Sequence, residues 1–240
     1  MKIAIIGYGR MGKMIEETAV AKGHTIGLII DLNNETDLTV QNLAGHDVAI
    51  EFTTPSSACH NISVCFDADI PVVSGTTGWL DRMPEIKERC LRENHAIVYS
   101  SNFSIGVNIL FHINSQLAKL IDPFDQYKPR IEEIHHVKKL DAPSGTAISL
   151  AQQIINKINR FRNWKLTDTP DNQTLPITAF RADDVAGIHE VIYESDVDTI
   201  SIKHSAKSRK GFVQGIMMAA EFIVGKKGYF TMEDVLGIKY

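Results

Sequence analysis

The sequence lacks a long apolar run, an N-terminal signal-peptide pattern and an excess of positive charge. Its longest apolar runs, Ile3–Ile6 and Ile26–Ile30, fall far short of the roughly 20 residues that a membrane-spanning helix requires. The net charge is −4 and the isoelectric point is about 6.1, so no overall positive field would attract nucleic acid or an anionic membrane. We therefore expect a cytoplasmic protein that acts on a small molecule.

Cysteine is also scarce, and the three cysteines are not spaced for pairing. Cys59, Cys65 and Cys90 are odd in number and form no C-x-x-C motif, which argues against a disulfide framework and against a zinc site. Histidines such as His24 and His46 do not show ligand spacing either. We expect buried, reduced thiols and no metal.

From Met1 to about Phe103 the sequence alternates between short β-branched runs and longer helical stretches. Continuous apolar runs that are separated by room for a helical crossover are typical of strands buried on both faces of a parallel sheet. The pattern predicts an α/β domain with a Rossmann-type, doubly wound parallel sheet. The predicted strands are Lys2–Ile6, Thr25–Asp31, Asp47–Thr53, Ile70–Ser74 and Ala96–Ser100.

After Phe103 the pattern changes to mixed helices and strands, which predicts a second, α+β domain. We expect helices over Val107–Ile121 and Thr146–Ile158, strands over Pro129–Ile134, Ile188–Tyr193 and Asp198–His204, an exposed loop over Asn163–Thr174, and a buried helix over Phe212–Val224.

The first predicted strand runs into a glycine-rich segment that is typical of dinucleotide binding. Gly7, Gly9 and Gly12 form a G-x-G-x-x-G pattern. Such glycines allow a tight turn, a close approach of the backbone to a pyrophosphate, and close packing of helix on strand. Asp31 ends the second strand, where an acid can hydrogen-bond the adenosine ribose. A glycine-rich turn without a ligand is the alternative, but strand, helix and acid together favour a dinucleotide site.

Two further loops follow the fourth and fifth predicted strands, at the same edge of the sheet. Gly75–Gly78 offers backbone amides and two threonine hydroxyls, and Ser100–Phe103 offers amides and an aromatic face. Both could frame a nicotinamide. The spacing alone equally allows ordinary turns made of small polar residues.

One segment of the second domain gathers histidine and lysine side chains just before a helix. It runs from Glu133 to Thr146 and contains two imidazoles and two ammonium groups. Asp141 or Ser144 can cap the helix that follows. A helix N-terminus that is preceded by cationic side chains suits a carboxylate ligand, whereas a solvated basic loop before a well-capped helix is the ordinary alternative.

Residues 133–147 read Glu-x-His-His-x-x-Lys-x-Asp-Ala-Pro-Ser-Gly-Thr-Ala, which closely resembles the signature of the dihydrodipicolinate (4-hydroxy-tetrahydrodipicolinate) reductase family. The resemblance extends over nearly the whole chain, through Gly9–Gly12, Gly75–Gly78, Asn102–Asn108, Arg181-Ala182-x-Asp184 and His204–Arg209. It implies an enzyme of lysine and diaminopimelate biosynthesis that uses NADH or NADPH. The reaction it implies is reduction of 4-hydroxy-tetrahydrodipicolinate, a small dicarboxylate, to tetrahydrodipicolinate with loss of water.

The resemblance also implies roles for individual residues. His135 is the acid/base residue and Lys139 the proton donor, while His136, Gly145 and Thr146 hold the carboxylates of the substrate. The cofactor contacts fall on Gly7, Tyr8, Gly9, Arg10, Met11, Gly12, Asp31, Gly75, Thr76, Thr77, Ser100, Ser101, Asn102 and Phe103. The dinucleotide-binding domain then comprises 1–103 and 209–240, and 104–208 forms a substrate domain whose sheet assembles a homotetramer.

Two features differ from the usual pattern of the family. The glycine loop is one residue shorter than the G-x-x-G-x-x-G spacing that is usual there, and Leu32 follows Asp31 where many members carry a basic residue. Because Asp31 would repel the 2′-phosphate of NADPH, we expect NADH to be used at least as well.

Three alternative functions remain open at this stage. The protein could be another Rossmann reductase that acts on an amino-acid-derived carbonyl, or a regulator that binds NAD(H) without catalysis. It could also bind nucleic acid through the short basic run Lys203–Lys210, although the chain is acidic overall.

Overall fold

The computed structural model describes residues 1–169, 171–183 and 185–238. The chain divides into two compact units, which we call the first unit (Met1–Ile105 with Lys210–Tyr240) and the second unit (Gly106–Arg209). Among the described residues, no helix combines the length and the apolar character needed to cross a membrane.

The elements follow one another as strands and helices in regular alternation through the first unit. In chain order they are β1 (Lys2–Ile6), α1 (Arg10–Ala21), β2 (Thr25–Ile30), α2 (Val40–Leu43), β3 (Val48–Glu51), α3 (Pro55–Asp67), β4 (Val72–Ser74), α4 (Met83–Arg92), β5 (Ala96–Tyr99), α5 (Ile105–Ile121), β6 (Lys128–His135), α6 (Gly145–Ile155), β7 (Asn163–Leu166), β8 (Thr174–Arg181), β9 (Gly187–Glu194), β10 (Thr199–Ala206), α7 (Lys210–Ile223), β11 (Gly228–Phe230) and α8 (Met232–Leu236).

The first unit is built on a six-stranded parallel sheet in the order β11-β5-β4-β3-β1-β2. Alternate residues of β1 pack into two different cores: Ile3 and Ile5 lie in the cluster that includes α1 and α7, and Ala4 and Ile6 lie in the cluster that includes α3 and α4. Both faces of the strand are therefore buried, which explains its unbroken apolar run. The predicted doubly wound α/β fold is confirmed.

The five predicted strand positions are correct, and β1 also has the predicted ends. Four of the five strands are shorter than predicted, because their terminal residues leave the sheet and enter the loops. The sixth strand, Gly228–Phe230, was not predicted. It is only three residues long and pairs with Ala96–Val98 at the sheet edge, so it carries no periodic signal of its own.

The order of the strands creates a topological switch point in the first unit. From β1 the chain crosses to β2 on one side, and it then returns to β3 on the other side of β1. The loops after β1 and β3 therefore diverge at the carboxyl edge of the sheet. In open α/β sheets this is the crevice where ligands bind.

The second unit is a five-stranded mixed sheet in the order β10-β9-β6-β8-β7. Strands β7 and β8 run parallel to β6, and β9 lies antiparallel between β6 and β10. Apolar residues of α6 pack on this sheet, with Leu150 and Ile154 fully buried against Ile177 and Val191. The predicted second α+β domain is confirmed.

One prediction in the second unit is wrong, and several boundaries shift. The expected loop over Asn163–Thr174 begins with the edge strand β7, which pairs with β8 through its backbone. An edge strand needs only one partner and little apolar surface, so its composition resembles a loop. Strand β8 was not predicted at all. The helix expected over Thr146–Ile158 ends at Ile155. The helix expected over Phe212–Val224, within the segment predicted to return to the first domain, is α7, Lys210–Ile223.

Candidate active site

The glycine loop after β1 has the backbone geometry of an anion-binding turn. Gly7 has a φ of 96°, and a Cβ there would lie 2.0 Å from the carbonyl oxygen of Phe52. A Cβ at Gly12 would lie 2.4 Å from the carbonyl oxygen of Gly7. At Gly9, by contrast, a Cβ would meet no atom within 4 Å, and Gly9 provides no side-chain cap for α1. The start of α1 is therefore open to a pyrophosphate.

A cleft of about 580 Å³ lies beside this loop at the ends of β2 and β3. Asp31 and Glu35 line it, and its described lining residues include no lysine or arginine. Asn34 holds the turn between the two acids, because its side-chain oxygen accepts the Asp31 amide at 2.8 Å and its side-chain nitrogen donates to Ile29 at 2.9 Å. The cleft thus presents two carboxylates where the adenosine ribose lies in this fold.

A second cleft of about 330 Å³ joins three loops that are distant in sequence. It is lined by Gly9–Gly12, by Phe52 and Thr53, and by Gly75–Thr77. A Cβ at Gly75 would lie 2.2 Å from the Phe52 ring, so glycine is required for this close approach. The structure therefore brings the predicted loop after β4 to the glycine loop.

The loop after β5 is placed differently. Ser100 and Asn102 form their own turn, with the Ser100 hydroxyl donating to the Asn102 carbonyl at 2.7 Å, while Ser101 is exposed. Phe103 is only 2% exposed and its ring centroid lies 5.8 Å from that of Phe52 within the core. The ring therefore offers no exposed aromatic face, and a cofactor would meet the backbone of this residue.

The loop after β3, which the sequence analysis overlooked, lines both clefts through Phe52 and Thr53. It is held by Glu51, a fully buried carboxylate that accepts the Ser74 hydroxyl at 2.6 Å, the Thr76 hydroxyl at 2.8 Å and the Thr53 amide at 3.1 Å. An acid at the end of the otherwise apolar strand Val48–Glu51 was the available signal. Its hydrogen bonds tie the ends of β3 and β4 together beneath the clefts.

In the second unit, the predicted catalytic histidine belongs to a buried polar cluster. The Glu133 carboxylate accepts the Ser144 amide at 3.1 Å through both oxygens, and one oxygen lies 3.8 Å from His135 Nδ1 and 3.7 Å from His189 Nε2. Ser144 Oγ lies 3.0 Å from His189 Nε2 and accepts the Ala147 amide at 3.2 Å, which caps α6. The sequence allowed either Asp141 or Ser144 as the cap of α6, and in the structure the cap is Ser144.

Burial keeps both imidazoles of this cluster neutral near neutral pH. Desolvation is the main cause that lowers the pKa of His135, the cations of Lys139 and Arg181 lower it further, and the Glu133 carboxylate opposes them. Desolvation also lowers the pKa of His189 to about 3. A neutral imidazole next to a buried carboxylate can accept a proton or share one.

The same cluster has the spacing of metal ligands. Ligand atoms of Glu133, His135 and His189 all lie within 4.8 Å of one another. However, the Arg181 guanidinium lies 3.9 Å from Glu133, and a cation at that distance disfavours a divalent ion beside it. We interpret the cluster as a carboxylate whose charge is balanced by Arg181.

The loop between β6 and α6 presents the predicted proton donor. Lys139 Nζ lies 2.8 Å from both oxygens of Asp141, and this pairing lowers the pKa of the Asp141 carboxyl group. Arg181 donates to the carbonyl oxygens of Lys139 and Asp141, and the Ala182 amide donates to the His135 carbonyl at 2.9 Å. Arg181 belongs to a motif that carried no predicted role, and His189 was not predicted as part of the site. Asp184, from the same motif, lies outside the described residues.

The three predicted carboxylate-binding residues flank this loop. His136 is half-buried where the loop begins, and Gly145 and Thr146 form the first turn of α6. A Cβ at Gly145 would meet no atom within 4 Å, so a ligand can approach the start of the helix closely. The structure thus places His135, His136, Lys139, Gly145 and Thr146 on one strand–loop–helix segment.

Comparison with known proteins gives concordant results over the full chain. Residues 1–103 match a family model described as dihydrodipicolinate reductase, N-terminus, and residues 106–236 match the model of its C-terminus. A 4-hydroxy-tetrahydrodipicolinate reductase of Christiangramia forsetii is 48% identical over 236 residues, covering 98% of each chain. One of Neisseria gonorrhoeae is 31% identical over 267 aligned positions, covering 99% of this chain and 98% of the relative. A dipicolinate-bound dihydrodipicolinate reductase from Paenisporosarcina sp. TG-14 shares the fold, with a TM-score of 0.77 and 19% identity over 100% and 99% of the chains.

Proposed function

This chain belongs to the dihydrodipicolinate reductase family, and on that premise we propose how its two units share the reaction. The protein is an NAD(P)H-dependent oxidoreductase of lysine and diaminopimelate biosynthesis, which reduces 4-hydroxy-tetrahydrodipicolinate to tetrahydrodipicolinate. We assign residues 1–103 and 209–240 to cofactor binding, and residues 104–208 to substrate binding and assembly.

The first unit fits a nicotinamide dinucleotide at its switch point. The open start of α1 at Gly9 receives the pyrophosphate, and Asp31 hydrogen-bonds the adenosine ribose. The cleft lined by Gly75–Thr77 holds the nicotinamide half. When bound, the reduced nicotinamide supplies the hydride.

The observation that carries the assignment of the second unit is the convergence of cation, imidazole and helix N-terminus on one segment. The first turn of α6, at Gly145 and Thr146, offers backbone amides and the helix dipole to a carboxylate. His136 adds a donor beside it. Lys139 brings a positive charge that favours a dianionic ligand. The Asp141 carboxylate, 2.8 Å from Lys139 Nζ, holds the ammonium group in place.

The chemistry then requires one proton for each hydride that the substrate receives, and one water leaves. We assign the proton donation to Lys139 Nζ, because an ammonium both attracts the dicarboxylate and holds an acidic hydrogen. We assign His135 the role of accepting or sharing a proton next to Lys139, since the neutral His135 ring lies 3.8 Å from the Glu133 carboxylate. Positioned acid catalysis of this kind is worth about 10²–10⁴-fold in rate.

We also propose that the enzyme is a cytoplasmic homotetramer that assembles through the sheet of the second unit. The family resemblance implies this assembly, and Phe180 supports it, because this residue is 48% exposed on the face of the sheet opposite α6. Light scattering on the purified protein measures the mass directly. A monomeric mass at micromolar concentration would contradict the proposal.

The test of the activity is oxidation of NADH or NADPH that depends on freshly generated 4-hydroxy-tetrahydrodipicolinate, followed at the absorbance band of the reduced nicotinamide. Loss of that band only when substrate is present supports the assignment. Binding of NADH without turnover would indicate a regulator, and turnover only with another amino-acid-derived carbonyl would indicate a different reductase.

A further inference from the structure

The segment between β6 and α6, residues 136–144, carries the proposed proton donor, and we call it the substrate loop. It contains a turn in which the Lys139 amide donates to the His136 carbonyl at 3.0 Å. A loop that presents a reacting group needs fixed geometry, because a displacement of about 1 Å can reduce the rate roughly a hundredfold. Contacts from the neighbouring strands must therefore supply much of its order.

Arg181, at the end of β8, binds the middle of the substrate loop. Its Nε donates to the Lys139 carbonyl at 3.2 Å and its Nη2 to the Asp141 carbonyl at 2.8 Å. The backbones of both members of the Lys139–Asp141 ion pair are thus held by one guanidinium, whose side chain is 23% exposed. A planar guanidinium can donate in several directions at once, which the point charge of a lysine cannot reproduce.

Glu133, on β6, binds the end of the same loop. Both of its oxygens accept the Ser144 amide at 3.1 Å, directly before the first turn of α6. The carboxylate is fully buried and lies 3.9 Å from Arg181 Nη1. Removal of either partner would leave the other with a poorly balanced charge, so the two side chains act as a unit.

We propose that Arg181 and Glu133 are positioning residues that hold the substrate loop, and with it Lys139 and the start of α6, in the geometry that the reaction requires. The proposal rests on the roles assigned above to Lys139, Gly145 and Thr146. Arg181 and Glu133 do not react themselves, but they determine how well the reacting groups are placed against the dicarboxylate.

The first test is steady-state kinetics of the full-length Arg181→Met, Arg181→Lys and Glu133→Gln proteins. We expect kcat/KM for the dicarboxylate to fall about 100-fold in Arg181→Met, and less in Arg181→Lys, which keeps the charge but not the double donation. The KM for NADH should stay within about twofold of the wild-type value, because the cofactor residues lie in the other unit. Thermal melting identifies a variant that does not fold. If Arg181→Met does not fold, the kinetics of Arg181→Lys and Glu133→Gln test the proposal in its place.

The second test measures the pKa of His135 by NMR titration of its imidazole. Among the described residues, the charged groups that face His135 are Glu133 and Asp141, which raise its pKa, and Lys139 and Arg181, which lower it. His189 packs against His135 with ring centroids 5.0 Å apart. Glu133→Gln should therefore lower the pKa of His135, and Arg181→Met should raise it. General loosening would instead raise the pKa in both variants, because both would lose the desolvation of the ring.

Arg160 provides a matched control in the same unit. Its side chain is 21% exposed, donates to the Tyr127 carbonyl at 2.8 Å and pairs with Asp125 at 2.9 Å, beside the opposite end of β6. Arg160→Met should leave kcat/KM within about twofold. If Arg160→Met loses as much activity as Arg181→Met, or if Arg181→Met keeps near-wild-type kcat/KM, the positioning role is refuted. Failure of the wild-type protein to turn over would instead refute the proposed function.

Discussion

Replacement of Asp31 by Asn should shift the cofactor preference of the enzyme toward NADPH. Asp31 and Glu35 both line the 580 Å³ cleft, whose described lining residues include no lysine or arginine. The adenosine 2′-phosphate of NADPH would add negative charge beside two carboxylates. The wild-type enzyme should accordingly use NADH at least as well as NADPH.

The size of the shift follows from the exposure of the site. Two unit charges about 4 Å apart repel by roughly 4 kcal/mol at an effective dielectric of 20 and by roughly 1 kcal/mol in water. Asp31 is half-buried and Glu35 is exposed, so the lower part of this range applies. A repulsion of about 1–2 kcal/mol corresponds to a preference of roughly 5–30-fold, and Asp31→Asn should remove most of it.

The assay compares kcat/KM for NADPH and NADH at saturating dicarboxylate in the wild type, in Asp31→Asn and in Asp37→Asn. Asp37 is a matched control, because it lies on the same connection, is exposed and does not line the cleft. Only Asp31→Asn should raise the NADPH/NADH ratio. The reasoning would be refuted by a wild-type enzyme that strongly prefers NADPH, or by equal ratios in the two variants.

Three further predictions concern the second unit. His135→Ala or Lys139→Ala should reduce kcat at least about a hundredfold while the affinity for NADH stays nearly unchanged; near-normal kcat with only a raised KM would make that residue a binding group. Thr146→Val should raise the KM for the dicarboxylate more than the KM for NADH, and equal effects would place the carboxylate elsewhere. Because the pKa of His189 is about 3 in the folded protein and about 6.5 in an unfolded chain, its contribution to stability is present above pH 6.5 and is lost as the pH falls toward 3. Urea unfolding between pH 7.5 and 5 should show this loss, at no more than about 1.4 kcal/mol per pH unit for this group, and His189→Gln should reduce the slope; an unchanged slope would contradict the shift.

The sequence alone predicts the class of fold, and it suggests the reacting groups proposed above. Runs such as Lys2–Ile6 are apolar at every buried position, so their lack of alternation identifies parallel strands that are covered on both faces. The glycine loop could be predicted because its glycines are required: a Cβ at Gly7 or at Gly12 would collide with the backbone. His135 and Lys139 could be proposed as reacting groups because one continuous motif contains them, and residues close in sequence form a recognisable pattern.

The distant residues that support those groups are brought to them by the fold. Glu51 meets Ser74 and Thr76 because β3 and β4 are neighbours in the sheet, and Arg181 meets the substrate loop because β8 pairs with β6. Neither pairing of neighbouring strands can be predicted from the local sequence. The same limit explains β7 and β11, which are held by backbone pairing at sheet edges. Hydrogen bonds of the backbone do not depend on side-chain pattern, so a short edge strand becomes recognisable only when its partner strand is in place.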